Sequence, residues 1–278
     1  MMRLFHKNSN QTQPKPYPPH RLYLRFVSMH ICTAMEYKSS FFMSLFGMTL
    51  TSAASLAAIA VLFNRFHTVD GYTFSEVLLC YSTILMAFSL SEIWLRGFDT
   101  FSGQVQSGGF DRLLLRPRSL LFSVLCTRIE FARLGRFLLG VTVMIIACTT
   151  TELVWTPARV TAYLLMLIGA TVFFCALMIC HAAFCFFTVE GLEFMNIFTH
   201  GGKELGSYPL DIYGSPALIY FFTFLVPLAC AQYYPFLYLT DRSDSLLYLF
   251  SPLWTFVFLG AVLIFWRIGV KHYQSTGS

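Results

Sequence analysis

The sequence predicts an all-α, polytopic membrane protein with six transmembrane helices and an N-terminal interfacial amphipathic helix. Three observations carry this reading. Of 278 residues, 56% are hydrophobic and only 12% are charged, against roughly 25% charged in a soluble globular domain. Phe alone occurs 30 times and mean hydropathy is +0.62, more apolar material than one core of this size can hide. The apolar residues also gather in runs of about 20, the length a helix needs to cross about 30 Å of hydrocarbon.

Residues 1–20 contain the Pro-rich PKPYPPH and are expected to be disordered or extended. No short apolar region followed by a small-residue cleavage site marks a signal peptide. Residues 21–38 mix Arg with Leu, Phe, Val and Met, as an amphipathic helix in the membrane interface does. A plain extension of the first span is the alternative.

The first span runs from about Phe41 to Phe63, with Ala, Ser and Thr that permit close helix approach. The second covers about Phe74 to Leu95, with Glu76 and Glu92 near its two ends. The third runs from about Phe137 to Trp155 and the fourth from about Val160 to Phe187. The fifth is placed at about Ala217 to Tyr233, kinked at Pro227, and the sixth at Leu246 to Trp266, interrupted by Pro252. With these spans, every Lys and Arg except Arg65, Arg159 and Arg242 falls on one side. The positive-inside rule makes that side the cytoplasm, with both termini on it. Basic charge so placed marks orientation, and the net +5 calls for no nucleic-acid partner.

Sites of chemistry are scarce. HGGKE at residues 200–204 lacks the first Gly and the final Ser or Thr of a phosphate-binding loop. The seven His include no H-x-x-x-H pair, and Cys175, Cys180 and Cys185 rotate around a helix, so no metal is expected. The eight Cys lie mostly in apolar runs and read as small buried hydrophobes. His181 sits mid-span, where an ionisable group is a functional suspect, with helix packing as the alternative. Glu76 and Glu92 are too far apart for one relay and read as interfacial caps or local pairs. Glu190 and Glu193 share a face at the exit of the fourth span, either to meet a cytosolic partner or as a solvated helix end.

Between spans two and three, residues 97–119 are too polar to cross and too apolar for a tether. Gly108-Gly109 and Arg116-Pro117-Arg118 bound a short helix there. A docking helix is the reading; anchoring to anionic headgroups is the alternative.

GGFDRLLLRPRS after a span opening DGYTFSEVLLCYS resembles the membrane (permease) subunit of type-2 ATP-binding-cassette (ABC) exporters, in the branch of six-span bacterial permeases. Tyr208, Pro209, Pro227, Tyr233, Tyr234 and Pro235 are similar to that branch's Tyr-Pro, Pro and Tyr-Tyr-Pro spacing, and the ending GVKHYQSTGS is similar too. The likeness covers residues 21–278 as a single permease domain. It implies a non-catalytic subunit of a bacterial plasma (inner) membrane exporter, paired with a second six-span permease and with a cytosolic ABC ATPase dimer. No cofactor is then expected on this chain, and ATP and Mg bind the partner ATPase. Membrane lipid is the surrounding medium.

The resemblance assigns Gly109, Asp111, Arg112, Arg116 and Pro117 to the ATPase-coupling segment; Glu190 and Glu193 join them by position. It adds short re-entrant helices between spans five and six, at residues 234–249 in the outer leaflet. YYPFLYL and LLYLF support this, each too short to span. Pro227, Tyr233, Tyr234 and Pro235 are the gate residues on this reading. A self-sufficient ion-coupled carrier, or an intramembrane enzyme using His181 and the carboxylates, is the alternative function; a membrane scaffold is a third.

Overall fold

A computed structural model describes residues 18–151, 153–188 and 193–273. The leader up to residue 17, Glu190 and the last five residues lie outside them, and of Glu193 only the backbone is described.

The chain opens with α1 (Pro19–Glu36) and α2 (Lys38–Phe66), separated at Tyr37. Asp70 and Gly71, both with positive φ, close a two-residue hairpin between β1 (Thr68–Val69) and β2 (Tyr72–Thr73), the turn chemistry that Asp-Gly favours. Helix α3 (Phe74–Asp99) starts at once, and its first turn is held by a capping box. The Thr73 amide donates to Glu76 Oε2 at 2.7 Å while the Glu76 amide donates to Thr73 Oγ1 at 3.4 Å. Glu76 is therefore the cap that its position suggests.

Three short helices follow: α4 (Phe101–Gln106), α5 (Gly109–Leu114) and α6 (Leu120–Leu125). Helix α7 (Leu134–Thr150) returns the chain, and the Ser75 hydroxyl donates to Thr150 Oγ1 at 3.0 Å, so the end of α7 lies at the start of α3. Helix α8 (Pro157–Phe184) runs back, opened by a Thr156 cap and by Pro at N1. The molecule thus has two ends. One holds the hairpin, Thr150 and Pro157; the other holds α4, α5, α6 and Phe184. We call them the Tyr72 end and the Arg116 end.

Helix α3 is the axis of the fold, since most of its length is buried. Its first half, from Val77 to Met86, packs with Ile59 and Phe63 of α2, Val143 and Ala147 of α7, and Met166 of α8. Its second half, from Ile84 to Phe98, packs with α8 residues Phe173 to Ala183 and with Val262 and Trp266. Helix α2 leans on this core with one stripe and leaves Phe42, Phe46, Leu50 and Val61 exposed, as a lipid-facing or subunit-facing helix does.

After α8 come α9 (Glu193–Asn196), a π-helical turn at Ile197–Gly201, and α10 (Gly202–Gly206). Phe194 packs on Phe184 at the Arg116 end, and the His200 ring sits 5.3 Å from Phe88 in the middle of α3. Higher up, a Cβ on Gly206 would stand 3.0 Å from Ile84 Cδ1, so glycine lets this backbone lie against α3. Asp211, in the 3-10 turn Leu210–Tyr213, accepts a 2.6 Å hydrogen bond from the Tyr72 hydroxyl. Residues 193–213 therefore run the depth of α3, from the Arg116 end to the Tyr72 end.

Helix α11 (Pro216–Phe224) then dips back, bringing Phe221 onto Phe198. The chain bends by 94° at residues 225–228 and climbs through a π-helical turn, Ala229–Tyr233, into α12 (Tyr234–Leu239). The Phe236 ring lies 5.8 Å from that of Tyr72, tilted by 36°, so this bent pair starts and finishes at the same end. Helices α13 (Leu246–Phe250) and α14 (Trp254–His272) complete the fold and return the chain to the Arg116 end.

The result is a helical, multi-pass membrane protein with a re-entrant helix pair before its last span. Among the described residues, five helices are long and apolar enough to cross. The fifth crossing differs from the sequence expectation. The run from Ala217 to Tyr233 has the hydropathy of a span, but Pro227 and the sharp bend divide it into the two arms of the re-entrant pair. Residues 193–213, which contain HGGKE, make the crossing instead. Correspondingly, the pair begins at Pro216, ahead of residues 234–249.

Candidate functional site

Helix α5 carries the motif GGFDRLL. Gly108 adopts φ +66 at its start, a left-handed conformation that costs an L side chain and that glycine adopts freely. Helices α4 and α5 are each amphipathic over a turn and a half: Phe101 and Val105 of α4 and Phe110 and Leu113 of α5 are buried. Phe101 and Phe110 meet edge to face at 5.3 Å between ring centres.

Their rings enter a cluster drawn from three spans. Phe110 lies 5.2 Å from Phe186, just past α8, and 4.8 Å from Tyr273, just past α14. Phe101 lies 5.5 Å from Trp266 of α14, which also meets Phe98 of α3 and Phe186. Each aromatic pair contributes about 0.5–1.5 kcal/mol beyond its buried area. The Tyr273 hydroxyl donates to Asp111 Oδ1 at 3.0 Å, and burial together with this bond holds the Tyr273 hydroxyl above the usual tyrosine range. The inner face of α5 is thus fastened to the ends of α3, α8 and α14.

The outer face is open. Arg112, Leu114, Leu115, Arg116 and Pro117 are exposed, Leu115 at 86%. Gly109 lies on the inner side, where an added Cβ would stand 3.3 Å from the Gln104 carbonyl. Asp111 and Arg112 are adjacent in sequence but point to different surroundings, since Asp111 meets the tail and Arg112 faces outward. Glu190 falls outside the described residues, and the structure places Glu193 at the first residue of α9.

Behind α5 lies a charge cluster that residue spacing does not reveal. Glu92 of α3 is wholly buried; its Oε2 accepts from Arg136 Nη1 at 2.9 Å, and Arg133 Nη1 stands 3.3 Å from Oε1. Arg96 reaches Glu130 at 2.9 Å and pairs with Asp99, and His181 Nδ1 lies 3.7 Å from Asp99. Opposite charges buried together hold their places because removing one leaves the other uncompensated. Glu92 is paired, as expected: Arg96, four residues on, stands 3.7 Å from Oε1, and Arg133 and Arg136 join it from more than forty residues away. In sequence those arginines signal only orientation.

The gate candidates form a second group at the re-entrant pair. Pro227 is buried at the bend, and Tyr233 and Pro235 are buried beyond it. Tyr234 Oη and Thr223 Oγ1 are 2.9 Å apart, a hydrogen bond between the two arms. The Ser251 hydroxyl donates to the Cys230 carbonyl at 3.1 Å and ties the second arm to the last span. Above them, Arg242 lies 3.7 Å over the Tyr72 ring and donates to the Gly71 carbonyl at 2.6 Å.

No metal centre accompanies these groups: among the described residues, no three His, Cys, Asp or Glu converge to hold an ion. Residues of HGGKE lie in helical turns packed against α3, which is not the geometry of a phosphate cradle. A family model described as "ABC-2 family transporter protein" matches residues 49–277. The chain belongs to the ABC-2 family of membrane transporters. The match starts within α2 and takes in the rest of that span, all the later ones, α5 and the re-entrant pair, leaving α1 outside it. No curated protein matches the chain, and no solved structure does. An ABC-2 transporter subunit of this kind is a permease, so the aromatic and charged supports described above are parts of a transport protein.

Proposed function

We propose that this chain is the non-catalytic permease half of an ATP-driven exporter, pairing with a second six-span permease and driven by cytosolic ATPases that bind ATP and Mg. The observation that carries the reading is the two-sidedness of α5. Its inner face is bolted to the ends of three spans, and its outer face presents Arg112, Arg116 and Pro117 beside exposed Leu114 and Leu115. A short rigid element held this way passes a push from outside the membrane into α3, α8 and α14 together.

On this reading the Arg116 end is cytoplasmic. Among the described residues, Arg65, Arg159 and Arg242 are the basic side chains at the Tyr72 end, as the positive-inside rule requires. Helix α1, with Leu24, Met29 and Ile31 exposed, lies along the inner interface. The Tyr72 end, the re-entrant pair and Tyr233, Tyr234 and Pro235 then form the outer gate.

The decisive experiment is co-purification. The permease is expected to bring down an ATPase from its native membrane, and Arg112→Glu combined with Arg116→Glu to release it while the permease remains in the membrane. Retention of the ATPase by the double variant removes the coupling assignment. Transport by the chain alone in liposomes would favour the carrier reading, for which Asp99 beside His181 is the natural proton path.

A further inference from the structure

A carboxylate sits where the bilayer is most apolar. Glu204 lies two residues before Gly206, whose backbone packs on Ile84, ten residues into α3 and so about 15 Å along that helix. In about 30 Å of hydrocarbon that is mid-depth. Placing a charged side chain there costs about 2.5–3.5 kcal/mol on insertion scales, and such residues face a cavity or a partner, not lipid.

The contacts of the crossing with α3 do not use it, and its ion-pair partner is the neighbouring Lys203. The inner face of the crossing is made by Gly206, against Ile84 and Leu228, and by Leu205, packed on the same core. The Lys203 ammonium donates to Glu204 Oε1 at 2.7 Å, but the two partners are exposed very differently: the lysine side chain at 12% and the glutamate at 61%. The pair hides its positive half and offers its negative half. Aromatic groups flank it: Tyr208 and Tyr213 lie within electrostatic reach of the carboxylate, and the Tyr213 hydroxyl folds back to donate to the Leu205 carbonyl at 3.3 Å. His200, one turn below, is also exposed.

We infer that Glu204, flanked by Tyr208 and Tyr213, recognises the cationic group of an amphipathic substrate, an amine or quaternary ammonium, midway along the export path. This rests on the permease reading and names the class of cargo. A carboxylate supplies the charge, tyrosine faces add cation–π attraction, and low dielectric strengthens both. Lys203 acts as the resident cation that keeps the site neutral when empty; an arriving cation competes with it.

The test uses the full chain in lipid nanodiscs with rhodamine 6G, a cationic amphipathic dye, and fluorescein, an anionic one, read by fluorescence anisotropy. Wild type is expected to bind rhodamine 6G saturably and to ignore fluorescein. Glu204→Gln should weaken that binding at least tenfold, Glu204→Asp should restore most of it, and Lys203→Met should tighten it several-fold. Equal binding by wild type, Glu204→Gln and Lys203→Met overturns the inference, as does preference for fluorescein. Efficient disulfide formation between two Glu204→Cys copies, with no dye bound by wild type, would assign this face to the second permease and also overturn it. Failure of the permease reading is seen separately, as absence of a co-purifying ATPase whatever the dye does.

Discussion

The Tyr273 hydroxyl donates to Asp111 across 162 residues of sequence, at 3.0 Å. The last described residue of the chain thereby meets the first turn of α5, so the end of α14 is tied directly to that helix.

Removing that bond tests the linkage. Tyr273→Phe keeps the ring against Phe110 and deletes only the donor, at a cost of about 0.5–1.5 kcal/mol. The expected outcome is faster trypsin cleavage after Arg112 and Arg118 in detergent, Arg116 being shielded by Pro117, with little change in yield. Phe110→Ala should do the same far more strongly, since opening a large aromatic site costs about 3–5 kcal/mol. Unchanged cleavage in both variants would mean that α5 is held by other contacts.

Glu92 is expected to be indispensable for assembly. Glu92→Gln leaves Arg133 and Arg136 without their buried counter-charge, a loss of about 3–5 kcal/mol. The protein should fall in abundance in the membrane fraction and unfold at markedly lower temperature in detergent, with Glu92→Asp intermediate. Wild-type abundance and thermal midpoint in Glu92→Gln would show the arginines to be balanced otherwise.

The fifth crossing makes a direct labelling prediction. Ser215→Cys should react with a membrane-impermeant maleimide from the same side as Asp244→Cys, and from the opposite side to Arg116→Cys. If residues 217–233 were a single span, Ser215→Cys would instead label with Arg116→Cys. Intact cells and inverted vesicles distinguish the two.

Alkaline pH should loosen the Tyr72 end. Burial and the hydrogen bond to Asp211 raise the Tyr72 hydroxyl well above its ordinary value of 10.0, with Arg242 opposing. The neutral, donating form is favoured in the folded protein, so its contribution is complete below pH 10 and is lost as pH rises beyond that. Thermal stability is expected to be flat for this group through neutral pH and to fall above about 10. Tyr72→Phe should be less stable at neutrality and show a shallower alkaline decline. An identical decline in both proteins would place the titration elsewhere.

Most of the helical plan is legible in the residue order because α2, α3, α7, α8 and α14 each contain an unbroken apolar stretch. The fifth crossing is hidden for the opposite reason. His200, Lys203, Glu204 and Asp211 depress its hydropathy, and its glycines contribute close contact instead of apolar area. Meanwhile Ala217 to Tyr233 scores as a span although Pro227 breaks it. The outward face of α5 can be read from Gly108, Gly109, Arg116 and Pro117, which punctuate a short element. Its fastening cannot, since Phe186, Trp266 and Tyr273 carry no mark in sequence that joins them to Phe110. Glu92 shows the same limit: one-dimensional spacing gives its helix end but not Arg133 and Arg136.

The burial of Glu92 also has a meaning for biogenesis. Its helix leaves the ribosome before Arg133 and Arg136 have been made, so until α7 arrives the carboxylate has only Arg96, one turn further along α3, as its ion-pair partner. The carboxylate gains its full set of counter-charges only when α3 and α7 lie side by side. The ion cluster is thus completed late in synthesis, by arginines made more than forty residues after the carboxylate they balance.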